Sequence, residues 1–375
     1  MNDETETSPS ELAPRLPEIV QNKRFHTPPA SKLGETVYIG CHFDHVRWPR
    51  CHFDSVRFVD CRFDGNHFEN CLWRQTGCAD SQFIDCLWKN CDLERVGWQR
   101  VTATNAKWQG GRQREFSCVE LNGNGWLLDD LRSEHGAFVD CELREWLLQG
   151  GVWSDSAWIK NRIDGLHIAD AEFRNFIHGQ SRCARVRLHH CHGVNARWID
   201  CELEDMALDR CLLKQSAWSH SAWQDGAIRA SRLPGACFDQ ARLSRVRALE
   251  SNLEQAMFDD ARLDDCVFDR VDAPRVSLRR ARLERVTLAG ANMRGLDACD
   301  ATLVDVDLSG CDCRQGRLIG QPPGAWWAAD TKGAVFDDEK LEQDRAWRQQ
   351  MRPGPNGWSG CRPANCARRA PRTAA

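Results

Sequence analysis

Apolar side chains recur at every fifth position of this chain, without loss of phase, from Phe43 to Leu318. Of the 56 positions in this central register, 43 are Leu, Phe, Trp, Ile or Met. A second register lies two residues earlier, beginning at Cys41, and 45 of its 56 positions are Ala, Cys, Gly, Ser, Thr or Val. On an α-helix, residues five apart would be spread around the axis and would form no apolar stripe. On a flat strand they would alternate between the two faces, so neither element fits. The chain must therefore turn a corner once in every repeat.

Four such corners close a square coil of about twenty residues, and each coil can stack on the next at the ~4.8 Å spacing of hydrogen-bonded strands. We expect the central residue and the small residue two before it to point inward. The other three positions are rich in Arg, Asp, Glu, His, Gln and Asn and should face solvent. The repeats thus predict about fourteen coils and a rod on the order of 65–70 Å long.

This repeat resembles that of the pentapeptide-repeat family, whose pattern is approximately A-(D/N)-L-x-x. The match is close at residues 241–245 (ARLSR), 261–265 (ARLDD) and 291–295 (ANMRG). The resemblance covers about three quarters of the chain. It implies an all-β fold, a right-handed quadrilateral β-helix, but says little about activity because one fold can host many functions.

The pattern divides the chain into a rod and two ends. Residues 1–38 contain several prolines and polar residues, and we expect them to be disordered or loosely attached. Residues 39–320 should form the β-helix. Residues 321–351 are expected to form a C-terminal cap with a short helix starting near Asp337, because a solenoid needs its last coil covered. Residues 352–375 should form a flexible tail.

The pattern breaks at residues 109–135, where Gly110-Gly111 and the run 122–125 (NGNG) are turn signals. The apolar residues of this segment leave the central register, which resumes at Phe138. We expect an irregular insertion, either a bulge or protruding loop or a coil that passes through distorted.

Loops on a regular scaffold are common binding sites, which makes residues of this insertion candidates for contact with a partner. A second set lies near the C-terminus, where aromatic residues either cover the last coil or join two copies of the chain in a homodimer. The candidate partner-binding residues are Arg112, Arg114, Phe116, Trp126, Trp326, Trp327 and Trp347.

Cysteine and tryptophan are both abundant, with 20 and 16 residues respectively. Twelve cysteines occupy the small inward register, where Cys serves as a small buried hydrophobe. A redox or metal role for a column such as Cys51, Cys71 and Cys91 is the alternative. Trp88 should stack on Trp108, and likewise Trp198 on Trp218, since each pair is twenty residues apart. A buried indole N–H needs a hydrogen-bond partner.

No catalytic motif is evident: there is no Gly-rich phosphate loop, nucleophile elbow or zinc-protease helix in the sequence. The most metal-like cluster is residues 189–192 (HHCH), whose alternate side chains would face opposite sides of the wall. We therefore expect no enzymatic activity, no cofactor and no bound metal.

The formal net charge is −4, from 50 basic and 54 acidic residues, which argues against a nucleic-acid-binding field. The sequence has no apolar run of membrane-spanning length, and its N-terminus is acidic and polar, unlike a signal peptide. These features predict a cytoplasmic protein of bacterial type, with secretion by a signal-peptide-independent route as the alternative.

Three functions remain open. The first is a non-catalytic scaffold or adaptor that binds protein partners. Its Trp-, Cys- and Arg-rich composition resembles that of pentapeptide-repeat proteins accompanying type VI secretion spike and effector genes, which implies a role in effector loading. The second, also implied by the family resemblance, is a DNA mimic that binds type II topoisomerases. The balanced charge counts against it, because a mimic needs carboxylates in place of phosphates. The third is a secreted effector.

Overall fold

The computed structural model describes residues 17–321 and 323–336, which wind into a parallel β-solenoid of about 14 turns. Strands of successive coils pair in parallel at a spacing of twenty residues, as Phe43 does with Phe63. Four segments complete each coil, so the rod has four faces. We name them the Phe43, Trp48, Phe53 and Phe58 faces after the central residues of one coil, and each face repeats its namesake's position every twenty residues. The predicted all-β solenoid is confirmed.

Two faces form separate ten-stranded sheets. The strands of the Phe58 face are Glu18–Gln21, Thr36–Ile39, Arg57–Val59, Gly77–Ala79, Gly97–Gln99, Ser117–Val119, Ala137–Val139, Ala157–Ile159, Ile177–Gly179 and Arg197–Ile199. Those of the Phe53 face are Lys32–Gly34, His52–Asp54, Leu72–Arg74, Asp92–Glu94, Arg112–Arg114, Arg132–Glu134, Val152–Ser154, Glu172–Arg174, His192–Val194 and Leu212–Lys214.

The other two faces share one 23-stranded sheet, because three longer strands cross the corner between them. These are Glu142–Gln149, Arg162–Ala169 and Arg182–His189. The remaining strands of the Phe43 face are Arg24–Phe25, His42–Asp44, Arg62–Asp64, Gln82–Ile84, Thr102–Thr104, Asn122–Asn124, Glu202–Glu204, Ala222–Gln224, Arg242–Ser244, Arg262–Asp264, Arg282–Glu284 and Thr302–Val304. Those of the Trp48 face are Arg47–Pro49, His67–Glu69, Leu87–Lys89, Lys107–Gln109, Leu127–Asp129, Ala207–Asp209, Ala227–Arg229 and Arg247–Leu249.

The corners depend on a left-handed backbone residue at the end of nearly every pentad, such as Asp60 with a φ of 53° and Arg285 with a φ of 52°. This conformation costs a residue other than Gly about 1–2 kcal/mol. Hydrogen bonds between coils offset that cost, since the N–H of Asp60 donates to the carbonyl of Ala79 at 3.0 Å. In later coils the corner also has a hydrogen bond within its own turn, as when the Ala256 N–H donates to the Leu253 carbonyl at 3.0 Å.

The inward side chains form stacked columns along the rod. The rings of Trp88 and Trp108 lie 4.4 Å apart with an interplanar angle of 6°. Those of Trp198 and Trp218 lie 4.2 Å apart at 2°. Both predicted stacks are confirmed, and they show that twenty residues complete one coil in both halves of the rod.

The irregular insertion predicted at residues 109–135 is wrong. The chain there forms five ordinary three-residue strands, and each keeps the twenty-residue spacing to its neighbours. The glycine-rich run 122–125 contains the strand Asn122–Asn124, which pairs with Thr102–Thr104 below it. The coil therefore passes through this segment with its backbone geometry intact.

What changes in this segment is which inward position is large. Phe116, Leu121 and Leu131 occupy the small register, and the central positions of the same pentads hold Cys118, Gly123 and Ser133. Phe116, Leu121 and Leu131 are each at most 1% exposed. The two inward positions thus exchange sizes within one pentad, so the interior stays filled although the central register loses its apolar residues.

The prediction that residues 1–38 are loosely attached is wrong for residues 17–38. Strand Glu18–Gln21 pairs with Thr36–Ile39 at a spacing of eighteen residues, so the first coil is two residues shorter than the others. The ring of Phe25 stacks on Phe43 at 5.0 Å and closes this end of the core. The proline-rich sequence forms a turn of this coil, while residues 1–16 lie outside the described residues.

The last coil is also shortened to eighteen residues, since Arg317 pairs with Val335. It contains the 3-10 helix Pro323–Trp326, which brings Trp326 to 2% exposure against the final coils. The predicted helix from Asp337 and the tail at 352–375 lie outside the described residues. Among residues 17–321 and 323–336, no helix is long and apolar enough to cross a membrane.

The buried tryptophans differ in whether the indole N–H has a partner. Trp126 and Trp146, which occupy the small register, donate to the carbonyls of Ala103 at 3.0 Å and Gly123 at 3.3 Å. By contrast, the indole N–H of Trp108, at a central position, has no partner within the described part of the chain. Trp126 and Trp146 therefore each find a backbone carbonyl in the preceding coil, which Trp108 does not.

We predict that Trp126→Phe destabilises the rod by about 1–3 kcal/mol more than Trp108→Phe does, because only the first loses a buried hydrogen bond. Both changes keep an aromatic ring in the core, so each serves as a control for the other. Urea unfolding of the two variants, followed by circular dichroism, measures the difference. Equal unfolding midpoints would contradict the assigned hydrogen bond.

Candidate partner-binding surfaces

The candidate contact residues predicted from the sequence differ in exposure, and several of them are buried in the core. Phe116 is 0% exposed and Trp126 is 1% exposed, so neither can meet a partner, and their selection as contact residues is wrong. The reason is that they point inward from the small register. Trp326 is likewise buried, whereas its neighbour Trp327 is 85% exposed. Trp347 lies outside the described residues.

Arg112 and Arg114 are exposed on the Phe53 face, where they take part in ladders of charge. Arg114 Nε lies 3.9 Å from a carboxylate oxygen of Glu134, one coil away. The pair below in the same column, Arg74 and Glu94, is 3.4 Å apart. Opposite charges one coil apart stabilise the stack only modestly, because such exposed pairs contribute about 0.2–1 kcal/mol each.

Similar ladders run along the corners of the rod. Arg100 forms two bonds with the carboxylate of Asp80, at 2.6 and 2.8 Å, and the pairs Arg280–Asp260 and Arg245–Asp225 repeat this geometry. These hydrogen bonds lower the pKa of Asp80 below its ordinary value. Because an arginine follows the carboxylate one coil later in each of these pairs, basic residues interrupt the acidic residues along these corners.

The Phe58 face departs from this charged surface. Six successive strands, from Gly77–Ala79 to Ile177–Gly179, carry no charged side chain at their outward positions. We call these positions, with their neighbours in the coils beyond, the apolar face. Its outward residues are Ile39, Val59, Gly77, Ala79, Gly97, Gln99, Ser117, Val119, Ala137, Val139, Ala157, Ile159, Ile177, Gly179 and Ile199.

Apart from Gln99, the side chains of the apolar face are short or branched at Cβ. Most of its residues are half-buried even without a partner, while Ile177 is 37% exposed. Gly77 and Gly97 lie directly opposite each other in adjacent strands. Beside them runs the column of residues that includes Gln99, Val119, Val139 and Ile159, which we call the Val119 column. Arg57 and Arg197 mark its two ends.

A buried histidine and cysteine form the closest approach to a catalytic pair. His178 Nε2 lies 3.5 Å from Cys183 Sγ, and both side chains are in the core. Burial lowers the pKa of His178 to about 4 and raises the pKa of Cys183 well above its ordinary value. Both groups are therefore neutral near pH 7, so this pair has no thiolate with which to attack a substrate.

Two further cysteines of the core are held in the same inactive form. Burial raises the pKa of Cys61 and of Cys86 to about 12. Each thiol points at backbone carbonyls, such as Cys86 Sγ to the Phe63 carbonyl at 3.4 Å. Cysteine therefore acts in this rod as a small apolar residue with a weak hydrogen-bond donor.

The histidine cluster at residues 189–192 is divided by the wall of the rod. Cys191 points inward with 0% exposure, whereas His189 binds Asp209 at 2.8 Å on the outside. Within the described ranges, no three His, Cys, Asp or Glu side chains are grouped in a way that could hold a metal ion.

A polar depression of about 510 Å³ lies on the Phe43 face between residues 162 and 224. Its charged side chains neutralise one another, since Arg182 and Glu202 are 2.8 Å apart. Arg185 reaches both Asp164 and Glu145 at 2.7 Å at the adjoining corner. The depression is thus lined by ion pairs between coils.

A family model described as pentapeptide repeats matches eight copies in the later coils, at residues 233–272 and 277–314. These residues are therefore similar to pentapeptide repeats. The same five-residue register continues back through the earlier coils without a change of phase. A search of curated protein sequences finds no match to the chain.

Solved structures with some similarity include two pentapeptide-repeat proteins and one enzyme module. Full-length QnrB1, a plasmid-mediated fluoroquinolone resistance protein, is 13% identical over 51% of this chain and 99% of its own, with a TM-score of 0.38. HetL from the cyanobacterium Nostoc sp. strain PCC 7120 is involved in regulating heterocyst differentiation. It is 18% identical over 57% of this chain and 88% of its own, with a TM-score of 0.21. The A-module of the Azotobacter vinelandii mannuronan C-5 epimerase AlgE4 is 9% identical over 81% of this chain and 91% of its own, with a TM-score of 0.28. At these TM-scores the similarities carry no argument about what this chain binds.

The buried core of the rod predicts a simple pattern of thiol reactivity. Cys237 is partly exposed, and the other described cysteines are buried. We expect the folded Cys361→Ser/Cys366→Ser chain to show one reacting thiol with Ellman's reagent, and the rest to react only on unfolding. Adding Cys237→Ser should abolish the native signal. Several thiols reacting at once in the folded chain would contradict the buried, protonated columns.

Proposed function

We propose that this chain is a non-catalytic scaffold or adaptor that binds proteins through its apolar face. One observation supports this most strongly: six successive strands without a charged outward residue, on a rod whose other faces carry ion-pair ladders. Soluble monomers rarely expose contiguous apolar patches beyond a few hundred Å², and larger patches mark interaction sites. Arg112, Arg114 and Trp327 remain exposed and are secondary candidates for contact.

The finer role that we propose is an accessory function in type VI secretion, in which the rod would hold an effector near the spike. Its support is compositional, namely the abundance of Trp, Cys and Arg. A cytoplasmic location in a bacterial cell accords with this role. Secretion of the rod as an effector is the weaker alternative, since the described residues outside the repeats are too few for an ordinary enzymatic domain.

The DNA-mimic alternative is disfavoured by the distribution of charge. A mimic needs acidic side chains repeated along the rod as phosphates are along DNA. At the corner that runs through Asp80, the series continues with Arg100, Glu120, Asp140 and Lys160. Cations therefore interrupt the acidic residues every second or third coil, and no continuous anionic surface results.

To test the interface, we would replace the Val119 column with a charge ladder, using Val119→Arg/Val139→Glu/Ile159→Arg. We call this the apolar-face variant. Because opposite charges alternate along it, it imitates the natural column of Arg74, Glu94, Arg114 and Glu134 on the Phe53 face and should fold. The matched control is Thr104→Arg/Asn124→Glu on the Phe43 face, which continues into Arg144.

We expect affinity-tagged wild-type chain, purified from its native host, to retain a stoichiometric protein partner, including an untagged copy of the chain if that is the partner. The apolar-face variant should lose at least 90% of it, and the control should keep it. Mass spectrometry identifies and quantifies the retained proteins. A spike or effector protein among them would support the secretion role. Equal retention by the apolar-face variant would remove this face as the interface.

For the DNA-mimic alternative, we predict that purified chain at micromolar concentration leaves DNA supercoiling by gyrase unchanged. The physical reason is the mixed charge of the corners, which cannot replace the uniform phosphate charge of DNA. A gel assay of plasmid topology measures this, with a known gyrase inhibitor as positive control. Inhibition at a stoichiometric concentration would reinstate the mimic.

A further inference from the structure

The apolar face has the size and the charge pattern to pair with itself. We propose that its occupant is a second copy of this chain, packed face to face and antiparallel, with the two-fold axis along strand Ser117–Val119. This inference rests on the proposed function, because it assumes that the apolar face is a protein-binding surface. It differs from a dimer formed through the C-terminal cap, which the aromatic residues near Trp327 had suggested.

The area of the face is sufficient for a specific dimer. Nine coils lie between Ile39 and Ile199, which gives a length of about 43 Å at ~4.8 Å per coil. The width between two corners is about 13 Å for four residues at ~3.3 Å each. Two copies would therefore cover on the order of 1,100 Å² in total, above the ~1,000 Å² expected of a biological interface.

The charges along one edge of the face are complementary to themselves in reverse order. In the antiparallel arrangement, Lys160 of one copy lies opposite Asp80 of the other, and Asp140 lies opposite Arg100. Within a single chain, Asp80 and Arg100 bind each other, whereas Asp140 and Lys160 have no ion pair among the described residues. Dimerisation would thus place the unpaired Lys160 and Asp140 of one copy against the Asp80–Arg100 ion pair of the other, with each charge facing its opposite. Complementary potentials of this kind fix the register of an interface.

The parallel arrangement is less complementary. A two-fold axis along the rod would bring each edge of the face against the opposite edge of the other copy in the same coil. Arg100 would then face Arg95, and Glu120 would face Glu115, although Lys160 would face Asp155. Like charges across an interface oppose association, and each of these two like-charged contacts occurs twice, so the charge pattern favours antiparallel rods.

The antiparallel register also places large side chains opposite small ones. Ile159 of one copy faces Ala79 of the other, and Val59 faces Gly179. Such alternation lets two sheet faces interdigitate at the ~10 Å separation typical of packed sheets. The unfavourable contacts are at the axis, where Glu120 and Glu115 each meet the same residue of the second copy.

This arrangement gives the scaffold a defined shape. The overlapping coils of the two copies would span residues 39–199, and the later coils would project from both ends in opposite directions. Trp327 would lie at the far end of each projection, where it remains exposed. One dimer would therefore present two identical arms to its partners.

Sedimentation velocity of the purified full-length chain, over a range of concentrations, tests the inference. The wild-type chain has a mass of 42.7 kDa, and we expect a species of twice that mass. The apolar-face variant should be a monomer, whereas the Thr104→Arg/Asn124→Glu control and Trp327→Ala should remain dimers. Loss of the dimer in Trp327→Ala, with retention in the apolar-face variant, would place the interface at the C-terminal end and overturn the inference.

Three further variants test the register and do not depend on a disrupted surface. Lys160→Glu should weaken dimerisation about fivefold to tenfold, and adding Asp80→Lys should restore it. Glu120→Gln should tighten dimerisation, a gain that misfolding cannot produce. No rescue and no tightening would overturn the antiparallel register.

The outcome also separates this inference from the proposed function. A chain that is monomeric at all concentrations, yet retains a host protein through the apolar face, would overturn only the second-copy proposal. A monomeric chain whose apolar-face variant retains every partner would overturn both.

Discussion

The hydrogen-bonded ladder between coils fixes the cross-section of this rod, and the rest of the structure depends on that constraint. Because every coil repeats the same backbone path, the inward side chains of neighbouring pentads must together fill an interior of nearly constant cross-section. The ordinary solution is a large central residue with a small one two positions earlier, as in Phe63 and Cys61. The coils at 109–135 use the inverse solution, as in Phe116 and Cys118. Packing density is kept, although the position of the large residue changes.

The period of five was sufficient to predict the solenoid, its number of coils and the tryptophan stacks. The period gave a wrong prediction where the large side chain lies in the small register, because we expected large inward residues only at central positions. Phe116 and Trp126 were then assigned to a loop, although they lie exactly two residues before a central position, in the other inward register. Comparing the summed volume of the two inward residues would have identified them as core. The hydrogen bond from Trp126 to the Ala103 carbonyl depends on three-dimensional proximity and could not be predicted from spacing.

The outward positions are free of the volume constraint, so they can differ between faces. Most have been used for charge ladders, which join coils and neutralise the surface. The apolar face can be recognised in the sequence only by comparing outward residues twenty apart, such as Val119, Val139 and Ile159. A comparison of residues five apart mixes all four faces and does not reveal it. The core chemistry is inert by comparison, because burial raises the pKa of thiols such as Cys61 and keeps them protonated. Function is therefore to be sought on the outer surface, in what the apolar face contacts.

The most direct test of the shared-volume constraint is a double-mutant cycle between Gly123 and Trp146. A Cβ atom on Gly123 would lie 2.8 Å from the Trp146 ring, so the two positions compete for one space. Gly123→Leu should be destabilising by overpacking, and Trp146→Ala by about 3–5 kcal/mol through the cavity it leaves. Urea unfolding of the four chains measures the coupling. The account predicts that the double variant recovers about 2–3 kcal/mol relative to the sum of the single changes. Additive effects, within about 0.5 kcal/mol, would contradict it.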